Sequence, residues 1–180
     1  MDITFITGNP NKANYVAQWL HHPINHHALD LPEIQSLDVR DVVAAKAESA
    51  YQALGTPVLV EDVSMQFTAL GRLPGPFVKW FEKELGLEAV CRLLDAYDDR
   101  SATVVCCYGL YDGHDMRFFE GIMHGTIADH PRGDNGFGFD AVFINDGQSL
   151  TRGEMDEKTY EETSMRKAAL IKLAEFLQSK

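Results

Sequence analysis

The sequence predicts an α/β protein built on a mixed sheet, and three observations carry that prediction. The chain opens on an alternating apolar strand that runs straight into a polar turn and a helix. Its middle is strand-rich, and its last stretch has helical periodicity. Helices at both ends of a strand-rich middle fit a sheet covered by helices. With 180 residues and no internal repeat or low-complexity segment, the chain reads as one domain over residues 1–180.

The opening strand is Ile3-Thr4-Phe5-Ile6, and Thr7-Gly8-Asn9-Pro10-Asn11 is a turn of small polar residues that hands over to a helix at Lys12. In that helix, residues 12–20, Ala13, Val16, Ala17 and Leu20 share one stripe, and Pro23 ends it. A short strand over 24–29 follows. Val39, Val43, Ala47, Ala50 and Leu54 repeat at helical spacing, which predicts a helix over Val39–Leu54 with Gly55 as its stop. Residues 58–61 are an apolar run ending in acid and read as a buried strand. Helices are predicted over 77–85, closed by Gly86, and over 87–94. Ser101–Tyr111 is β-rich, and Asp112-Gly113 is a hairpin turn. Strands over 117–125 and 141–144 and a final helix over 161–178, with Leu170, Leu173 and Leu177 toward a core, complete the chain.

Composition narrows the function. The formal net charge of -11 makes the chain a poor candidate for gripping a nucleic-acid backbone. An anion would have to meet a local cluster of lysine and arginine, or a metal held by carboxylates. Cys91, Cys106 and Cys107 show no zinc or disulfide spacing and read as buried free thiols of a reducing cytosol. No apolar run is long enough to span a bilayer and no signal-peptide pattern is read, so a cytoplasmic location is expected.

Several segments carry chemistry. A strand-to-helix turn presents backbone N–H groups at a helix N-terminus, which suits a polyphosphate, and Lys12 adds a full positive charge there. A plain strand–turn–helix would also favour Gly8, Asn9 and Pro10. Glu61-Asp62 lies at the end of an apolar strand, where ligands gather in open α/β sheets, and Glu33 is a second acid after a strand. Together Glu33 and Asp62 would suit Mg²⁺, which takes a few carboxylates plus phosphate oxygens and water. The plain alternative is a solvated acidic pair. Lys79 falls in the first turn of a helix that follows Pro74-Gly75-Pro76, where a cation opposes the dipole. That favours a ligand role over a surface lysine. In Gly136-Phe137-Gly138-Phe139-Asp140 an aromatic ring could stack on a base and the acid could accept a hydrogen bond, or the loop is a glycine-rich turn with aromatic plugs. His21, His22, His26 and His27 straddle Pro23, which breaks any common face, and read as solvated.

Taken in order, these segments resemble the inosine triphosphate pyrophosphatase (Ham1-like) family over nearly the whole chain. Thr7-Gly8-Asn9-Pro10-Asn11-Lys12 is similar to its [ST]-G-N-x-x-K phosphate motif, and Asp30-Leu31-Pro32-Glu33 to its metal-binding acid. Lys46 falls at a nucleotide contact. Val60-Glu61-Asp62 resembles E-D-[ST], whose aspartate is metal ligand and proton acceptor. The run from Leu73 to Phe81, containing Lys79, is its most specific piece, and Phe137-Gly138-Phe139-Asp140 resembles its base-binding loop. Glu154-Met155 and Ser164-Met165-Arg166 complete the order.

The resemblance implies an elongated mixed sheet with helices in two lobes and a central nucleotide cleft, a homodimer and Mg²⁺ dependence. It also implies hydrolysis of deaminated purine nucleoside triphosphates to the monophosphate and pyrophosphate. The implied catalytic residues are Asp62, Lys12 and Lys79, and the implied metal ligands are Glu33 and Asp62. Substrate contacts would come from the 7–12 turn, Lys46, Asp62, Val63, Lys79, the 137–140 loop, Tyr160, Met165 and Arg166. No nucleic-acid polymer or membrane is expected as a partner.

The departures cluster on the base side. Met165 stands where the family has the histidine of Ser-His-Arg, Tyr160 where it has a lysine, and Val63 where it has serine or threonine. A lost base-directed hydrogen bond costs about 1–3 kcal/mol. Hydrolysis is therefore expected to survive while base preference is weakened or redirected, with stacking by Tyr160 as one compensation. The alternatives are a pyrophosphatase for a different modified or ordinary nucleotide and a non-hydrolysing nucleotide-binding module.

Overall fold

The computed structural model describes residues 2–20 and 24–179, and of Asn11 its backbone alone. The helix end expected at Pro23, with His21 and His22, lies outside the described residues. The chain orders as β1 (Thr4–Ile6), α1 (Pro10–Leu20), β2 (Asn25–His27), α2 (Val39–Leu54), β3 (Val58–Phe67), β4 (Pro74–Gly75), α3 (Val78–Leu85), α4 (Leu87–Arg92), β5 (Ser101–Tyr111), β6 (Met116–Ile127), β7 (Phe143–Asn145), α5 (Glu157–Glu162) and α6 (Met165–Gln178). Short 3-10 turns occupy Thr68–Leu70, Gly138–Ala141 and Arg152–Glu154. The strands hydrogen-bond in the order β2-β1-β3-β5-β6-β7, with β4 on β3. β1 is parallel to β2 and β3, while β4 is antiparallel to β3 and β7 to β6. This is the mixed α/β sheet that the sequence predicts.

The chain forms two compact units. The first comprises Met1–Asp62, Cys106–Gly121 and Arg166–Lys180, and the second Val63–Val105 and Ile122–Met165. In the first, Phe5, Val16, Val43, Ala47, Leu59, Tyr108, Leu170 and Leu173 are buried. Their spacing puts one apolar face of α1, α2 and α6 against strands whose alternate residues point the same way. Asp38 caps α2 by accepting the Arg40 N–H, and Gly55 closes it in the left-handed conformation with its N–H on the Tyr51 carbonyl. In the second unit, Met65, Phe67, Val90, Leu94, Val104, Phe139, Phe143 and Met155 are buried.

Three expectations are corrected. The strand expected over 58–61 runs on to Phe67. Glu61 and Asp62 look like the polar start of a loop, but their charges are paired, and Ser64, Met65 and Phe67 continue the buried pattern. The single helix expected over 161–178 is two, α5 and α6, broken at Thr163 and Ser164. Thr163 Oγ1 bonds the carbonyls of Thr159 and Tyr160, a side-chain competitor for the helix ladder. The strand expected over 141–144 starts later, at Phe143, behind the 3-10 turn of Gly138–Ala141.

Candidate functional site

The turn between β1 and α1 is held by its own side chains. The Asn9 N–H donates to Thr7 Oγ1 at 3.1 Å, and the Lys12 N–H reaches Asn9 Oδ1 at 3.4 Å. Thr7 N–H donates to the His27 carbonyl of β2. Asn9 thus acts as N-cap and Pro10 takes the first helical position, where its missing donor costs nothing. This corrects the picture of a turn with its donors free: the polar side chains consume some of the backbone N–H groups they frame.

Adjacent residues of a strand point to opposite faces, and Glu61 and Asp62 of β3 use that alternation to serve two charge clusters. On one face the Arg166 Nε donates to Glu61 Oε1 at 2.9 Å, and Lys12 Nζ lies 3.5 Å from Glu61 Oε2. The Glu61 side chain is only 4% exposed. Burial opposes its charge, but Arg166 and then Lys12 outweigh it and hold the carboxyl below its ordinary range. The same carboxylate holds the Arg166 guanidinium charged.

On the other face Lys46, from the middle of α2, donates to Asp62 Oδ2 at 3.0 Å and to Glu33 Oε1 at 3.2 Å. Burial works against the ammonium, yet Asp62 and then Glu33 keep its pKa above the ordinary value. Glu33 and Asp62, expected as ligands of Mg²⁺, both reach the Lys46 ammonium in this structure. The donor set fits a hard divalent cation, because both offer oxygen and Glu33 is part-exposed, leaving room for phosphate oxygens and water. Among the described residues no group of three or more His, Cys, Asp or Glu side chains is placed to hold a metal. His26 and His27 lie exposed on β2.

The second unit holds the other expected residues. Lys79, at the start of α3, is exposed, with Nζ 5.6 Å from the Trp80 ring centre. In the 137–140 loop, Phe137 is 56% exposed and Phe139 is buried. Asp140 is buried and fully engaged: Arg152 Nε donates to Oδ1, while the Tyr160 hydroxyl and the Phe137 N–H donate to Oδ2. Gly136 and Gly138 take positive φ, which bends the loop around that carboxylate. The Arg152 guanidinium lies 4.0 Å from the centre of the Tyr160 ring. Tyr160, expected as a base contact, sets one ring face against Arg152 and its hydroxyl on Asp140. Met165 is buried and Val63 half-buried.

Sequence reasoning assigned no role to Arg152 and none to Glu61 beyond its motif. Nothing local marks Arg152. Glu61 had a usable signal: the alternation of a strand that sends it away from Asp62.

A model of the Ham1 family matches residues 3–176. An inosine triphosphate pyrophosphatase from Batrachochytrium dendrobatidis is 41% identical, with 99% of this chain and 95% of that protein aligned. One from Neurospora crassa is 43% identical, over 97% of this chain and 91% of that protein. Among solved structures, a HAM1 protein from Coxiella burnetii superposes with a TM-score of 0.86 at 25% identity, covering 99% of this chain and 98% of that one. A nucleoside-triphosphatase described as a dITP/XTP pyrophosphatase, from Mycobacterium abscessus, gives a TM-score of 0.77 at 26% identity, over 96% and 98%.

Proposed function

The chain belongs to the Ham1 family, and from that membership and its charge clusters we propose that it hydrolyses deaminated purine nucleoside triphosphates to the monophosphate and pyrophosphate. The observation that carries this is the convergence of Lys46, Glu33 and Asp62 on one face of β3 with Lys12 and Arg166 on the other. A chain of net charge -11 here gathers three cations around two adjacent residues within β3.

The reaction breaks the anhydride between the α- and β-phosphates with water. Asp62 orients that water and takes its proton on a carboxylate oxygen, the general-base role. Lys12 and Lys46 neutralise the charge that develops on phosphate oxygens, the chief electrostatic demand of phosphoryl chemistry. Glu33 and Asp62 would hold a divalent cation, read here as Mg²⁺, which supplies charge neutralisation and polarises phosphate oxygens when bound. Lys79 is read as a further phosphate contact, and Arg166 and the 137–140 loop as base contacts. Tyr160 acts through Asp140, shaping the loop. We take residues 1–180 as one catalytic domain of a cytoplasmic homodimer, acting in nucleotide-pool cleaning.

The deciding experiment is pyrophosphate release with Mg²⁺ across inosine, deoxyinosine, xanthosine and the common nucleoside triphosphates. Preference for inosine and xanthosine is the expected result. A second reading, a pyrophosphatase for another base, is favoured by the burial of Met165 and the engagement of Tyr160 with Asp140. It predicts turnover that peaks on a different nucleotide. Binding without pyrophosphate release would identify a non-hydrolysing module.

A further inference from the structure

We propose that Glu61 is a positioning residue: its one buried carboxylate holds Lys12 of the phosphate turn and Arg166 of the last helix together, so that the group meeting phosphate and the group meeting the base share a single anchor. The inference rests on the nucleotide reading above and assigns a residue which that reading leaves without a task.

Glu61 lies within β3, so its position is fixed by the sheet. Both of its oxygens are used: Oε1 accepts from Arg166 Nε at 2.9 Å and, more weakly, from the Cys106 thiol at 3.7 Å, and Oε2 faces Lys12 Nζ at 3.5 Å. A carboxylate kept only to satisfy a buried charge needs one cation. Here two long side chains, from the first helix and the last, end on the same group. In water each would sample many rotamers. Holding them before substrate arrives removes an ordering cost that binding would otherwise bear, and fixes their geometry for the reaction. The cluster remains cationic, because one carboxylate offsets only one of two positive charges. The Lys12 side chain is 36% exposed and its contact is long, so the ammonium retains donors to offer an anion.

The test is Glu61→Gln, near-isosteric and neutral, read in two ways. One is the affinity for inorganic tripolyphosphate, which has no base. The other is the ratio of kcat/KM for inosine triphosphate to that for adenosine triphosphate. Lys12→Met is expected to weaken tripolyphosphate alone, and Arg166→Met to lower the ratio alone. Glu61→Gln is expected to lose both, each by about tenfold or more. A folded Glu61→Gln protein that keeps both within about twofold has lost only a stabilising pair, and the proposal fails. Loss of one property alone ties the carboxylate to a single cation and overturns the shared anchor equally. If Glu61→Gln does not fold, Glu61→Asp keeps the charge, shortens the reach and is read against the same two outcomes. Wild-type protein that turns over no nucleoside triphosphate sinks the functional reading instead, before any variant is made, and takes this inference with it.

Discussion

At the scale of single residues, the proposed chemistry divides between an acid that acts and an acid that holds. Asp62 faces Lys46 and Glu33, while its neighbour Glu61 is spent on Lys12 and Arg166. Asp62→Asn keeps the shape and removes the proposed proton acceptor. Turnover should fall by about 10²–10⁴ while nucleotide binding persists; steady-state kinetics beside a binding isotherm read the two apart, and undiminished turnover removes Asp62 as the base. Lys79 is exposed, and its only described contact is the Trp80 ring. Lys79→Ala should therefore leave the melting temperature unchanged, since exposed substitutions away from special features cost within about 0.5 kcal/mol. Turnover should drop at least tenfold if the lysine meets a phosphate oxygen, a charge-assisted contact of about 1.5–3 kcal/mol. Wild-type rates with wild-type melting would take it out of the site. Residue type and local position pick out Lys12 at a helix start and Glu33 and Asp62 after expected strands, while Lys46, in the middle of α2, is picked out by the family resemblance alone. Arg152 and the anchoring role of Glu61 were not legible. Arg152 pairs with Asp140 across 12 residues of loop and strand, and Glu61 with Arg166 across 105; strand alternation separates Glu61 from Asp62, but no local pattern names either partner.

At the scale of elements, legibility followed the strength of the local signal. α2 and β5 run over the residues that periodicity assigns to them, Val39–Leu54 and Ser101–Tyr111. α2 has both caps written in its sequence, and β5 a run of β-branched residues before a turn. β3 outruns its expected end at 61 because charged residues resemble a strand end until their partners are known. Positioning of Lys46 depends on how α2 lies against the sheet, and one residue shows how close that approach is. Gly109 of β5 is buried, and a methyl group there would overlap Val43 Cγ1 of α2. Valine is stiff at χ1 and cannot swing aside cheaply. Gly109→Ala should thus cost about 1–3 kcal/mol as overpacking, a fall of several degrees in melting temperature for a chain of this size. The same push on α2 should raise KM through Lys46. An unchanged melting curve would mean that helix and strand part without strain.

At the scale of the whole molecule, the three thiols report on the integrity of the core. Cys91, Cys106 and Cys107 are fully buried, and no helix among the described residues is long and apolar enough to cross a membrane. Burial raises all three thiols: Cys91 is pushed up to about 11 and Cys107 to about 12, and Cys106 rises well above its ordinary value, with the Glu61 charge adding to burial. A thiolate is the reactive form, so a disulfide reagent at pH 8 should find none of the three until the protein unfolds. In denaturant all three should titrate at once. The same shifts set a pH dependence. Each folded-state pKa is raised, so the unfolded chain ionises first, from its ordinary value of 9.0 upward. Stability is complete below that pH and is lost progressively as pH climbs toward the folded values. Denaturant midpoints should accordingly hold steady through pH 8 and fall between about pH 9 and 12. Replacing Cys107 with alanine, a smaller apolar group, should flatten part of that fall while lowering the midpoint at neutral pH, because the cavity it leaves costs stability at every pH. A thiol that reacts rapidly in the native protein, or a midpoint indifferent to alkali, would show that the strand carrying Cys106 and Cys107 opens well short of global unfolding. The sheet could not then hold Glu61, packed against Cys106, as rigidly as its anchoring role requires.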